Sequence, residues 1–135
     1  MNFSRLLPLA TKFNLRVIAL NRRDYVGSTL FSTSELEDLY SNDEAKHKEF
    51  LRERGLEIAR FLVWVIENCN IPPRATAVSD GKPRAYGGLS VLGWSLGNIT
   101  TIEFLSNLKT YPQEVIDKLQ PYISTFFIYG KLFSI

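Results

Sequence analysis

One stretch, residues 89–98, constrains the fold more than any other part of the chain. Its apolar first half has the length and composition of a buried strand, and residues 93–97 that follow read Gly-Trp-Ser-Leu-Gly. Apolar side chains at helical spacing come next, namely Ile99, Ile102, Phe104, Leu105 and Leu108. A strand, a Gly-x-Ser-x-Gly turn and a helix in this order predict a sharp, strained turn with the serine hydroxyl projecting from the end of the strand.

Four of the five residues of this turn have a predicted role. Ser95 is the candidate nucleophile. Gly93 and Gly97 are expected there because a side chain at either position would collide across so tight a turn. The helix that begins beside Ser95 would point backbone N–H groups at a developing oxyanion, and the Leu96 N–H is one of them.

The turn resembles the nucleophile elbow of the α/β-hydrolase fold. Residues 16–29, with Arg-Val-Ile-Ala-Leu-Asn followed by a polar Gly-Ser turn, resemble that family's fourth strand and the loop after it. The resemblance covers residues 6–129. It implies a parent chemistry of esterase, lipase, thioesterase, peptidase or carbon–carbon bond hydrolase type, because serine rather than aspartate stands at the nucleophile position. The substrate would be a small-molecule ester-like or acyl compound, and the sequence does not choose among these reactions.

The remaining pattern alternates strands with helices. Strands are predicted at residues 16–21, 88–94 and 124–129, and helices at residues 3–13, 33–40, 44–68 and 96–108 and after Pro112. Alternation of this kind predicts an α/β fold with parallel strands and right-handed crossovers. With the resemblance, it predicts a partial α/β-hydrolase fold of about three parallel strands, a single domain over residues 1–135 that is truncated at both ends.

Local signals place the helix starts and one loop. Ser32 and Glu35 form a capping-box pattern, and Asn42 or Asp43 is expected to cap the long helix. Residues 71–86 are predicted to be a loop because prolines and glycine interrupt them and little in them is periodic. The basic residues of that loop, Arg74, Lys82 and Arg84, are interpreted as solvated because no aromatic residues interleave with them.

The catalytic acid and base that the resemblance calls for are missing. In the family they follow the serine in the order acid, then histidine. The chain has one histidine, His47, which precedes Ser95 and is interpreted as an exposed surface residue. The acidic residues after the serine, Glu103, Glu114 and Asp117, all fall in predicted helices, and Asp24 is interpreted as a turn residue. The second oxyanion donor also has no match, so the chain is predicted to be inactive.

Composition narrows the remaining classes. The formal net charge of +2 gives no reason to expect nucleic acid or an anionic membrane as a partner. One cysteine, Cys69, excludes an internal disulfide, and no apolar run approaches the roughly 20 residues of a membrane span. No signal-peptide pattern is present, so a cytoplasmic location is expected. No metal or cofactor is predicted.

Two other functions stay open at this stage. The first is a non-catalytic interaction protein that pairs through exposed sheet edges beside residues 17–20 and 125–129, with self-association as one form of it. The second is a nucleotide-binding α/β unit. Neither G-x-G-x-x-G nor G-x-x-x-x-G-K-[ST] is present, which argues against the second.

Overall fold

A computed structural model of the chain describes residues 6–130. The chain divides into two compact units, Met1–Tyr40 and Ser41–Ile135. Within residues 6–130, no helix combines the length and the apolar character needed to cross a bilayer.

The first unit contains two short helices, α1 (Leu7–Lys12) and α2 (Thr33–Leu39). The predicted start of the first helix, residues 3–5, lies outside the described residues. The predicted capping box is confirmed. The Ser32 hydroxyl accepts a hydrogen bond from the Glu35 N–H at 3.2 Å, and the Glu35 carboxylate accepts one from the Ser32 N–H at 2.8 Å. The same carboxylate also accepts a hydrogen bond from the Arg23 guanidinium at 2.7 Å, which ties the turn before α2 to its first turn.

The strand predicted at residues 16–21 is wrong. This segment has irregular backbone and pairs with no strand among residues 6–130. Its apolar side chains Val17, Ile18 and Leu20 are 37%, 44% and 41% exposed. Apolar and β-branched residues are common in half-buried strands, and this composition led to the prediction. A strand also needs a neighbouring strand to accept and donate its backbone hydrogen bonds, and this segment has no such partner within residues 6–130. The turn that follows is confirmed, with Asp24 in it at a φ of 66°.

The second unit begins with the long helix α3 (Glu44–Asn68). Its predicted cap is confirmed, because the Asp43 carboxylate accepts hydrogen bonds from the N–H groups of Ala45 at 2.8 Å and Lys46 at 3.4 Å. The helix ends at Asn68, before the two prolines at 72 and 73, as their effect on the preceding residues predicts.

An antiparallel hairpin stands where a loop was predicted. Its strands are β1 (Ala75–Ser79) and β2 (Lys82–Tyr86), joined by Asp80 and Gly81 with φ of 53° and 72°. Two left-handed residues of this kind make the tight turn that suits the twist of a hairpin, and Asp-Gly is the sequence signal for it. The hairpin is exposed over nearly its whole length, so neither strand shows the alternation by which a half-buried strand is recognised.

The rest of the second unit is a parallel strand–helix–strand arrangement. Strand β3 (Leu89–Trp94) leads through α4 (Gly97–Ser106) and α5 (Gln113–Leu119) to β4 (Ile123–Tyr129). The two strands pair in parallel, in a register that runs from Leu89↔Ile123 to Trp94↔Tyr129. Two of the three predicted parallel strands are therefore confirmed. The described residues hold a two-stranded parallel sheet and a separate hairpin, and a three-stranded parallel core is not shown.

The core of this unit lies where α3, α4 and α5 meet beneath the sheet. Its buried members are Leu56, Ala59, Phe104, Tyr111, Val115 and Leu119. Gly55 makes the close crossing of α3 and α4 possible, because a Cβ there would lie 2.8 Å from the backbone nitrogen of Phe104. The crossing fixes α4 against α3, and α4 in turn positions the turn that precedes it.

Candidate functional site

Ser95 occupies the turn between β3 and α4 in a left-handed conformation. Its φ is 52°, a value that residues other than glycine, asparagine and aspartate adopt rarely. Such a conformation costs about 1–2 kcal/mol and persists where the surrounding structure enforces it. The side chain is exposed. The backbone geometry predicted for a nucleophile elbow is therefore present at Ser95.

Hydrogen bonds to the end of β4 hold this turn in place. The Ser95 N–H donates to the carbonyl oxygen of Tyr129 at 3.0 Å, and the Asn98 side-chain amide donates to the same oxygen at 3.2 Å. The Asn98 N–H donates to the Ser95 carbonyl at 2.9 Å, which closes the first turn of α4. Asn98 is 2% exposed, so this polar side chain serves the inside of the turn rather than its surface.

The two predicted elbow glycines have different environments. A Cβ on Gly93 would lie 2.6 Å from Asn98 Oδ1 and 2.8 Å from the Thr101 hydroxyl, so β3 can approach α4 this closely only with glycine there. A Cβ on Gly97 would meet no atom within 4 Å. The collision expected at Gly97 is therefore wrong, because no atom of the neighbouring strands comes within 4 Å of a Cβ at this position.

Gly130 is a site residue that sequence reasoning missed. It follows β4 with a φ of 127°, and a Cβ there would lie 3.0 Å from the Ser95 backbone nitrogen. The sequence did contain a signal for its position, because Gly130 directly follows a predicted parallel strand. The carboxyl ends of parallel strands meet at one edge of a sheet, so this glycine could have been placed beside the elbow.

The oxyanion-hole role of Leu96 stays a prediction. Leu96 is the N-cap residue of α4, with helical backbone angles and a side chain that is 54% exposed. No side chain caps this helix. Two amides of its first turn are already used, since Asn98 N–H bonds the Ser95 carbonyl and Ile99 N–H bonds the Leu96 carbonyl. The amides of Asn98 and Ile99 are therefore not free to bind an anion at Ser95.

His47 is not placed to act as a base for Ser95. Its end of α3 shares a shallow groove with Glu103 and Asn107, at the far end of α4 from Ser95. The ten residues of α4 span about 15 Å, which is several times the reach of a hydrogen bond. The interpretation of His47 as an exposed residue is wrong, because it is half-buried and its Nε2 is enclosed without a hydrogen-bond partner.

The carboxylates of Glu103 and Asp117 have hydrogen-bond partners other than a catalytic base, and Glu114 lies in the first turn of α5. The Glu103 carboxylate accepts a hydrogen bond from the Asn107 amide at 3.1 Å, within α4. The Asp117 carboxylate accepts one from Gln113 at 2.7 Å, within α5. Among residues 6–130, no three histidine, cysteine, aspartate or glutamate side chains form a group that could hold a metal ion.

Comparison with protein-family models, with curated proteins and with solved structures found no match to this chain. The site presents an exposed hydroxyl at the start of a helix, where a negative charge is favoured. It lacks, within the described part of the chain, a neighbouring base that would remove the hydroxyl proton.

Proposed function

We propose that this chain is an α/β-hydrolase-related protein of the serine esterase or lipase type that keeps the nucleophile elbow and performs no hydrolysis by itself. The observation that carries the proposal is the left-handed Ser95 between a parallel strand and a helix. An ordinary strand-to-helix turn has no need of a strained serine, since glycine adopts this conformation without the cost.

The residues around Ser95 hold it in its left-handed conformation. Gly93 and Gly130 remove the side chains that would block the turn, and the Tyr129 carbonyl accepts two hydrogen bonds that hold it. Strain that neighbouring residues enforce in this way is typical of functional sites. The absence of hydrolysis follows from the chemistry, because a serine hydroxyl is a weak nucleophile until an adjacent base takes its proton.

A fluorophosphonate probe tests the lack of activation. The wild-type chain should label no more than a Ser95→Ala variant, while an active serine esterase in the same reaction labels fully. Stoichiometric labelling of the wild type that disappears in Ser95→Ala would overturn the proposal, because it would demonstrate an activated nucleophile.

A cysteine comparison tests the electrostatics of the elbow. Ser95→Cys and Ser106→Cys, each combined with Cys69→Ser, would place a thiol at the start and at the end of α4, where both native serines are exposed. A helix N-terminus lowers the pKa of a thiol, so the thiol at position 95 should react with iodoacetamide several-fold faster at pH 7. Equal rates would contradict an anion-stabilising site.

A second candidate function is an interaction protein that pairs through an open sheet edge. The observation that favours it is that β3 and β4 each have one strand neighbour among residues 6–130. Parallel sheets are ordinarily covered on both faces, and an exposed strand edge is a template for pairing with another chain. The edge predicted beside residues 17–20 is absent, since no strand forms there, which leaves the two edges of the β3–β4 sheet.

A further inference from the structure

The open edge of β3 lacks the features that protect edge strands. Its sequence, Leu-Ser-Val-Leu-Gly-Trp, contains no charge and no proline. The exposed hairpin shows the contrast, since β2 carries Lys82, Pro83 and Arg84 within five residues. Lysine, proline and other charged residues are the usual means by which an exposed strand is kept from pairing with another chain. β3 is therefore chemically competent to accept a further strand.

Helix α4 extends beneath this edge. Asn98 and Thr101 contact Gly93, so that face of α4 lies under β3, while Phe104 faces Phe126 of β4 with ring centroids 5.6 Å apart. At 100° per residue, Phe104 therefore lies roughly 120° from Asn98 on the β4 side of the helix.

Two apolar residues of α4 remain uncovered on the other side. Ile102 lies roughly 40° from Asn98 in the direction away from Phe104, and Leu105 lies within roughly 20° of Asn98 two turns along. Both point toward β3 or just beyond it, yet they are 42% and 43% exposed. Among residues 6–130 the sheet ends at β3 and is too narrow to cover them, and one more strand would do so.

We infer that the edge of β3 pairs with the same edge of a second copy of this chain about a two-fold axis, which makes a four-stranded sheet in the order β4-β3-β3-β4. The two β3 strands would run antiparallel, with Ile102 and Leu105 of both copies packed beneath the junction. This inference rests on the second candidate function, for which it names the edge and the partner.

The charge pattern fits a two-fold contact. A two-fold axis brings like residues close together, so a charged edge would repel itself. Within residues 89–105 the sole charged residue is Glu103. Its carboxylate accepts a hydrogen bond from Asn107, and the residue lines the groove between α3 and α4. The surface offered by β3 and the outer side of α4 is therefore neutral.

The apolar area is sufficient for a weak dimer. The exposed fractions of the large aliphatic residues along this surface lie between 42% and 52%, for Leu92, Ile99, Ile102 and Leu105. With the strand backbone they offer less than the roughly 1,000 Å² of a stable specific interface, and an area of that size is in the range of weak and transient contacts. The dimer should therefore depend on concentration in the micromolar range.

Sedimentation velocity across the micromolar range tests the inference. The wild type should pass from monomer to dimer, and Ile102→Lys should weaken association at least tenfold because it places like charges across the axis. Val78→Lys is the matched control, since Val78 is 76% exposed on the hairpin and its replacement should leave association unchanged. Circular dichroism would establish that both variants fold.

A cross-linking measurement keeps the inference testable if Ile102→Lys does not fold. Leu92→Cys with Cys69→Ser should join two copies through a short bis-maleimide, whereas Val78→Cys in the same background should not. A wild type that stays monomeric overturns the inference. If Ile102→Lys still dimerises and position 92 gives no cross-link, the copies do not pair through the β3 edge. The interaction function would then depend on another surface.

Discussion

Gly130 packs directly against the backbone of Ser95, although two helices and a strand lie between them in the chain. A Cβ on Gly130 would stand 3.0 Å from the Ser95 nitrogen and 3.3 Å from its Cα, and the φ of Gly130 is 127°. Gly130, which follows β4, therefore shapes the turn that follows the neighbouring strand β3.

Replacing Gly130 should destabilise the second unit. Gly130→Ala is expected to lower the free energy of unfolding by about 1–3 kcal/mol, through backbone strain and the collision with Ser95. Urea denaturation measures this. Gly81→Ala is the control, because Gly81 also has positive φ but a Cβ there would meet no atom within 4 Å. Equal losses in the two variants would mean that contact with Ser95 carries no energy.

The two elbow glycines should respond in opposite ways. Gly93→Ala forces β3 and α4 apart at Asn98, and the cost of such overpacking is about 1–3 kcal/mol. Gly97→Ala adds a methyl group in open space at the first position of α4, and it should stabilise the chain by about 0.4–1 kcal/mol by restricting the unfolded chain. Urea denaturation of the two variants and of the wild type measures both effects as shifts of the midpoint in opposite directions. A destabilising Gly97→Ala would restore the steric role that the sequence suggested.

The stability of the second unit should fall at high pH through Tyr111. Burial, and secondarily the charge of Glu103, raise the pKa of Tyr111 to about 12 from an ordinary value of 10.0. Between those two values the unfolded chain loses the phenol proton while the folded chain keeps it, so stability that is present below pH 10 is lost as pH rises toward 12.

Urea midpoints between pH 8 and 11 would measure this dependence. Tyr111→Phe should flatten it, although the variant loses the hydrogen bond that the hydroxyl donates to the Glu103 carbonyl at 3.3 Å. Tyr40→Phe, at a residue that is 79% exposed, should leave the dependence as it is in the wild type. An unchanged slope in Tyr111→Phe would assign the alkaline loss to other groups.

The capping box should control the order of α2. Ser32→Ala removes the acceptor for the Glu35 N–H and is expected to cost about 1 kcal/mol of local helix stability. Ser34→Ala alters an exposed serine within the same helix that accepts no capping bond, so it serves as the control. Amide exchange of Tyr40, whose N–H donates to the Leu36 carbonyl at 3.0 Å, reports the difference. Equal exchange in the two variants would deny the cap an energetic role.

What the sequence predicts well is the structure that local residues decide. The capped start of α3 at Asp43, its end before the prolines and the left-handed Ser95 all follow from signals within a few residues. Helices and turns close their hydrogen bonds locally, so short windows of sequence contain most of the information that specifies them.

Pairing between distant segments explains what was not predicted. Residues 16–21 have the composition of a strand but no partner within residues 6–130, and composition does not reveal a missing neighbour. The hairpin at Asp80 and Gly81 carried its turn signal, yet both strands are exposed and show no alternation. Gly130 needed knowledge of which strand ends adjoin, and that depends on the register of β3 and β4.

The hydrogen bonds at Tyr129 also bear on the order in which the chain folds. Ser95 N–H and the Asn98 amide both donate to the Tyr129 carbonyl, so these two restraints on the strained turn form only after β4 has docked. Closing a loop of this length has an entropic cost that must be met before those contacts form. We therefore expect the elbow to reach its left-handed geometry late in the folding of this unit, so that the φ of Ser95 reports on the docking of β4.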